Sequence, residues 1–343
     1  MNTWRFVEWL VPGDKGGTAI DELPAMPFRD RTNSAASPQA GRTSQRVLPD
    51  RARAPMTTTG KLRATLAIAA ILAECFTGVV SAQDAVSRGF GPPRVSGSLD
   101  FATADKYVYQ GYILENRGPV FQPNLELLAE FYTGDGFVTS ASARLNVFNS
   151  FQFHNRGRSN MAEPMRTWYE FEVMSGIQLV LANEFTFTAS YRRFESPNGF
   201  YGSANGFHLT LAYDDAKMWG GFALNPRVLW IVPLDRASTE GHYFEGAIEP
   251  GITFWEKSRY PLAISVPVTL GVGDNHQYAG QRFGFASAGL TANVPLAFLP
   301  EPYGKWSLSG SATYYRLGST TAAISNDGER NQMIFSGALG LEF

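Results

Sequence analysis

The sequence predicts an all-β chain: a transmembrane antiparallel up-and-down β-barrel of about twelve strands, preceded by a disordered leader and a signal peptide. Three observations predict it. From Val95 to Phe343, apolar residues alternate with small or polar ones at every second position, which is the side-chain period of a strand. The connections between these stretches alternate short and long, as barrel connections do. The composition is 44% hydrophobic, 13% aromatic and only 17% charged, with 34 Gly, which suits short strands and turns better than a helical enzyme. A mean hydropathy of -0.16 is too polar for helical spans, but every second residue of a barrel strand faces a wet lumen. The net charge of -2 and pI near 6.1 argue against a nucleic-acid partner.

The N-terminal region divides by composition. Residues 1–55 are rich in Arg, Pro, Ala and Ser without periodicity, and read as a disordered leader or as translation from upstream of the true start. Residues 56–82 read as a Sec signal peptide beginning at Met56. Lys61 and Arg63 precede the apolar run Ala64–Val80, and Val80-Ser81-Ala82 offers a cleavage site after Ala82. Glu74 interrupts that run and disfavours a permanent span. The lone Cys75 lies inside the signal, so the expected mature chain carries no thiol chemistry. Residues 83–94 form a short periplasmic segment, and 95–343 the barrel.

The candidate strands, in order, are Val95–Tyr109, Asn124–Tyr132, Phe137–Phe148, Trp168–Leu181, Glu184–Phe194, Gly206–Tyr213, Gly221–Val232, Tyr243–Trp255, Leu262–Val272, Phe283–Leu296, Lys305–Leu317 and Met333–Phe343. The ninth is the cleanest, with Leu262, Ile264, Val266, Val268 and Leu270 set against Ala263, Ser265, Pro267 and Thr269. In the last, Met333, Phe335, Gly337, Leu339, Leu341 and Phe343 oppose Ser336, Ala338, Gly340 and Glu342. An apolar outward face ending on an aromatic is the pattern of a barrel's closing strand. The short connections are Thr133–Gly136, Ala182–Asn183, Asp214–Met218, Glu256–Tyr260 and Pro300–Gly304. The long ones are Gln110–Gln122, Asn149–Arg166, Glu195–Asn205, Pro233–Gly241, Gly273–Gln281 and Gly318–Asn331. Closure is expected because an open sheet edge in hydrocarbon leaves backbone groups unpaired. Pro226, Pro250, Pro267 and Pro295 fall within candidate strands and are expected at bulges, rims or strand ends. Trp168, Trp230, Trp255 and Trp306, with Tyr107, Tyr109, Tyr169, Tyr213, Tyr243 and Tyr314, are expected in interfacial girdles.

No catalytic constellation emerges. His154, His208, His242 and His276 show neither metal-ligand spacing nor a partner for nucleophilic catalysis, so no enzyme activity, cofactor or metal is expected. The informative set is the charge predicted to face the lumen: Glu126, Glu130, Arg144, Glu170, Glu172, Arg192, Arg227, Glu245 and Glu249. Glu170 and Glu172 fall between Arg144 and Arg192 on neighbouring strands. Opposed charges of this kind either line a pore with a transverse field or pair into a network that fills a narrow lumen. The leader and signal carry excess Lys and Arg, so an open pore is expected to lean weakly towards cations.

The stretch Asp105-Lys106-Tyr107-Val108-Tyr109-Gln110-Gly111-Tyr112 resembles the Asp-Tyr-x-(aromatic)-Arg-Gly opening of the TorF-type porin family of Gram-negative bacteria. Gln110 stands where that family has Arg, and Lys106 separates Asp105 from Tyr107. The resemblance covers this motif and the barrel pattern. It implies a porin-like protein of the outer membrane and carries no catalytic residues. The expected function is thus an outer-membrane channel for passive diffusion of small hydrophilic solutes or ions. Its expected partners are those solutes, outer-membrane lipid and lipopolysaccharide, and the barrel-assembly machinery acting on the strand that ends in Phe343. The alternative is a non-conducting barrel that binds a surface ligand through its outer loops, the arginines Arg156, Arg158 and Arg166 being the nearest contact. A lipid-modifying enzyme is a distant third.

Overall fold

The computed structural model describes residues 93–153, 166–216, 218, 222–234 and 241–343. The leader, the signal peptide with Cys75, residues 83–92, His154, Arg156 and Arg158 lie outside the described residues. Among the described residues there are sixteen strands: β1 Arg94–Ala104, β2 Tyr107–Tyr109, β3 Tyr112–Glu115, β4 Val120–Thr133, β5 Val138–Gln152, β6 Trp168–Leu181, β7 Phe185–Glu195, β8 Ala204–Tyr213, β9 Arg227–Pro233, β10 Tyr243–Ile248, β11 Gly251–Phe254, β12 Leu262–Ser265, β13 Val268–Gly273, β14 Phe283–Pro295, β15 Lys305–Leu317 and β16 Asn331–Glu342. A short helix, α1, spans Ser319–Ser325.

All strands except β2 and β3 belong to one antiparallel sheet that returns on itself: β1 pairs with both β4 and β16, and β14 pairs with β15. β10 with β11, and β12 with β13, are halves of single wall segments, so the ring is twelve segments around. The seam is carried to its last residue, for the Gly97 and Phe343 backbones exchange both hydrogen bonds (2.8 and 3.0 Å). A closed ring leaves no edge groups to be desolvated in hydrocarbon.

The two faces are those that the alternation predicts. Val228, Trp230, Leu270, Leu290, Leu308 and Phe335 stand exposed on the outer wall, while Leu229, Ile231 and Thr269 beside them are buried inside. Aromatic pairs on neighbouring strands brace that outer wall. Trp230 stacks on Phe244 with centroids 5.6 Å apart, Phe185 on Tyr213 at 4.6 Å and Phe151 on Trp168 at 6.0 Å. Each such pair is worth about 0.5–1.5 kcal/mol beyond its buried area.

Pro226, Pro250, Pro267 and Pro295 fall where a missing donor is harmless. Pro226 precedes β9 and Pro295 ends β14, while Pro250 and Pro267 mark the breaks within the two halved segments. At each break the proline carbonyl still accepts, from Val266 N to Pro250 (2.8 Å) and from Gly289 N to Pro267 (2.9 Å).

Several expectations need correction. The first wall strand stops at Ala104, and Tyr107 and Tyr109 belong to a separate hairpin. The seventh begins at Arg227 rather than Gly221, because the Asp215 carboxylate takes the Leu224 and Asn225 N–H groups into a turn. Tyr107, Tyr169 and Tyr243 are buried and so are not interfacial. Tyr169 is carried inward by a bulge: Ser150 faces Glu170 and Phe151 faces Trp168, so Tyr169 is the extra residue.

Candidate functional site: a hairpin across the lumen

Three arginines inside the barrel each pair with a carboxylate on a neighbouring strand. Arg144 pairs with Glu126, Arg192 Nε donates to Glu172 Oε2 (2.6 Å), and Arg227 Nη2 donates to Glu245 Oε1 (2.9 Å). Arg144 also donates to Ser190 Oγ (3.3 Å), which lies across the ladder from His208. The structure therefore pairs Arg192 with Glu172 as expected, but gives Arg144 to Glu126 rather than to the β6 carboxylates. Glu170 is held by a tyrosine: Tyr107 Oη donates to Glu170 Oε2 (3.0 Å). Towards the short-turn rim, Glu130 accepts from Ser140 Oγ (2.8 Å) and Glu249 from Ser265 Oγ (2.7 Å). Neither carboxylate forms an ion pair among the described residues.

Sequence reasoning missed the part that crosses this lumen. After β1 the chain leaves the wall at Asp105, whose Oδ1 accepts from Phe335 N (2.9 Å) while Lys106 Nζ donates to Met333 O (2.8 Å). These two side chains clip the departing segment to β16. β2 and β3 then form a two-stranded sheet of their own. Gln110 (φ 50) and Gly111 (φ 84) make its turn, with left-handed φ at both central positions, the geometry that matches the twist of a two-residue hairpin. The turn signal in the sequence is Gln110-Gly111 followed by Tyr112 and Ile113.

The hairpin touches opposite sides of the barrel. On the β5–β6 side, Tyr107 packs against Phe148 and edge-on against Tyr169, and Tyr109 lies 5.1 Å from the guanidinium of Arg192, which Phe194 faces at 4.1 Å. On the other side, the tip enters the loop between β13 and β14. Gln277 Nε2 donates to Gln110 Oε1 (2.6 Å), Tyr278 Oη to the Gln110 carbonyl (3.0 Å), and Tyr112 Oη to the Gln277 carbonyl (2.6 Å). α1 closes the third side, its Ser325 Oγ accepting from Ile113 N (3.1 Å). Burial, reinforced by the Glu170 charge, pushes the Tyr107 hydroxyl well above its ordinary pKa. Burial raises Tyr112 likewise. Both hydroxyls keep their protons throughout the physiological range and so keep donating.

The two halves of the lumen differ in chemistry. At the long-loop end, Tyr243, Tyr278, Phe285, Tyr315, Leu317 and Ile334 form a dry cluster under the hairpin, each large apolar side chain contributing about 1.5–3 kcal/mol on burial. Towards the short-turn rim the inward residues of β14, β15 and β16 are small and polar. Ser311 and Ser336 share a hydrogen bond (2.7 Å), and Asn293 reaches Ser307 (3.5 Å).

Asp274 organises the loop that receives the tip. Its carboxylate accepts from the backbone N–H groups of Gln277 (2.8 Å), His276 (2.9 Å) and His242 (3.0 Å). Partial burial alone would raise its pKa, but these donors outweigh it and hold the group below its ordinary value of 3.8. A depressed carboxylate stabilises the folded loop above the ordinary value and loses that contribution as pH falls through the lowered one. Acidification to below about pH 4 should therefore speed hydrogen exchange at His242, His276 and Gln277 N–H. Exchange there that ignores pH, while other amides show the normal acid trend, would contradict this account.

No protein-family model and no curated protein matches the sequence. Among solved structures, the chain is similar to an outer membrane channel from Pseudomonas putida F1 (12% identity, 77% of this chain and 98% of that one, TM-score 0.39). It is also similar to the NanC porin (12% identity, 71% and 98%, TM-score 0.37). A third is the translocator domain of the autotransporter NalP from Neisseria meningitidis (14% identity, 82% and 97%, TM-score 0.34). These likenesses are distant, and the barrel assignment rests on the closed ring of strand pairs.

Proposed function

We propose that this protein is an outer-membrane channel for small hydrophilic solutes, preferring cations, whose outer mouth is shut by the Tyr107–Glu115 hairpin. One observation carries the reading. The closing element is a separate two-stranded sheet with no ladder bond to the wall, so it leaves the lumen without breaking the ring. Beyond the apolar cluster packed against the hairpin, the short-turn half of the lumen carries hydroxyls and hydrogen-bonded carboxylates. The three Arg–Glu pairs cancel in charge, which leaves Glu130 and Glu249 to set the sign of the field in the short-turn half. Arg94, directly across the ladder from Glu130 at the rim, makes no ion pair with it. In this reading the short-turn rim faces the periplasm and the signal peptide from Met56 directs export. The C-terminal strand ending in Phe343 is presented to the assembly machinery. The stretch resembling the TorF-type porins is then the gate itself, and membership in that family is part of the same proposal.

Conductance of the purified protein in a planar bilayer tests the reading. Discrete steps are expected, with a reversal potential favouring cations. In Glu130→Gln combined with Glu249→Gln, the cation-to-anion permeability ratio should move towards unity. Steps with unchanged selectivity would remove these two residues from the account. A folded, heat-modifiable barrel that stays silent even with the hairpin released would support the second reading, a non-conducting barrel. That reading draws on the buried Arg192–Glu172 pair and the dry cluster beneath the hairpin.

A further inference from the structure

Arg316 is a charged residue on the outward face of the wall. Along β15 the buried Thr313, Tyr315 and Leu317 point inward, and Leu308, Ala312, Tyr314 and Arg316 share the opposite phase. Its ladder partner Asn331 stands in the outward row of β16 with the exposed Met333 and Phe335. Ten residues separate Arg316 from Trp306, which has the same phase at the other end of the strand. That is about 34 Å along an antiparallel strand. Barrel strands tilt by about 35–45°, so the vertical distance is roughly 25 Å, the height of the apolar band of such barrels. With Trp306 at one boundary of the band, Arg316 reaches the other, at the long-loop rim.

A second cation stands beside it. Arg330 Nε donates to the Leu317 carbonyl (3.0 Å), and Leu317 N donates to the Arg330 carbonyl (2.7 Å). Partial burial and the Arg316 charge together hold the Arg330 guanidinium below its ordinary pKa, so the two like charges feel one another. Asn331 Oδ1 accepts from Arg316 Nη1 (2.9 Å) and from Tyr314 Oη (2.8 Å), which fixes the Arg316 guanidinium at the edge of the band. Neither arginine forms an ion pair among the described residues, although Asp327 and Glu329 lie close by in the chain. Two like charges held together without a counter-charge suit an anion from outside the chain.

Resting on the outer-membrane reading above, we infer that Arg316 and Arg330 bind a phosphate of lipopolysaccharide. Depth and direction select the occupant. Arg316 is approached from the membrane side, past Tyr314, which a soluble acidic peptide is not. At the boundary of hydrocarbon and headgroup the anion on offer is a lipid phosphate, whose oxygens match a guanidinium fork. The long-loop rim faces the outer leaflet in that reading, which makes lipopolysaccharide rather than phospholipid the source.

The test is binding of fluorescently labelled lipopolysaccharide to the full-length protein in mild detergent, with folding checked by heat-modifiable mobility. Arg316→Gln combined with Arg330→Gln should weaken binding roughly tenfold or more, as expected for lost bonds to a charged group. Arg316→Lys should fall between, since it keeps the charge and loses the fork. Enzymatic removal of the lipid's phosphates should weaken wild-type binding by a similar factor and leave the double variant unaffected. Arg259→Gln, which removes a cation bound to the Ala297 carbonyl at the short-turn rim, should bind as the wild type does. Equal binding by the double variant, or of the dephosphorylated lipid, would overturn the inference. So would an equal loss in Arg259→Gln, or phosphatidylglycerol bound as tightly as lipopolysaccharide. A wild-type barrel that inserts into lipid vesicles but binds no lipopolysaccharide would overturn the site alone, whereas failure to insert would overturn the membrane reading beneath it.

Discussion

In the proposed channel, Gly111→Val is expected to turn a mostly closed state into a persistently open one. Two independent penalties fall on the docked hairpin. Gly111 sits at φ +84, and its Cβ would lie 2.6 Å from Cδ1 of the Phe285 ring, which is itself fully buried. A β-branched residue in the left-handed region costs about 1–3 kcal/mol before any collision is counted, which alone shifts a docked-to-released equilibrium by about 5- to 150-fold. The wall is untouched, because Gly111 takes no part in its ladder. Bilayer recordings should show long open dwell times in the variant and brief ones in the wild type. Gly202→Val makes the control at the same rim, since a Cβ there meets nothing within 4 Å and no left-handed φ is involved. If Gly111→Val folds, shows the heat-modifiable mobility of the wild type and is no more conductive, the hairpin is not a gate.

The second large effect is on stability. Arg192 is 1% exposed, bound to Glu172 and sandwiched between Phe194 and Tyr109. Arg192→Met keeps much of the volume but strands the Glu172 carboxylate in a desolvated site, which typically costs about 3–5 kcal/mol. Unfolding in guanidinium should move to markedly lower denaturant. Combining it with Glu172→Gln should recover a large part of the loss, because the buried charge is then gone as well. A single variant that unfolds at the wild-type midpoint would show that this pair is not buried in the folded protein. A double variant no better than the single one would show that packing, not charge, sets the cost.

What was legible in the sequence follows from what the outer wall demands. Hydrocarbon on one side forces an apolar residue at every second position, so the wall strands, their phase and the inward set of Glu and Arg all show in the alternation. The interior imposes no such uniform rule. Tyr107 and Tyr109 continue the alternation of β1 without a break, and only Asp105-Lys106 and Gln110-Gly111 mark a departure from the wall and a turn. Tyr169 changes sides through one bulged residue, which a period-two reading cannot anticipate. A signal for the dry end does exist. Val228–Val232 is apolar on both faces, and Leu229 and Ile231 are the inward members that pack beneath the hairpin. Where both faces of a barrel strand are apolar, the lumen at that level is filled.

The seam between β1 and β16 has a consequence in time as well as in space. Other wall segments pair with a neighbour one connection away, whereas Ser98 faces Glu342 and Ala104 faces Ser336. Bringing ends about 240 residues apart together costs roughly 3 kcal/mol more in chain entropy than closing a connection of about ten residues. Hairpins along the wall therefore form early and the seam forms last. Until it does, β1 and β16 each expose a full row of unpaired N–H and C=O groups, and the barrel is an open ribbon with two sticky borders.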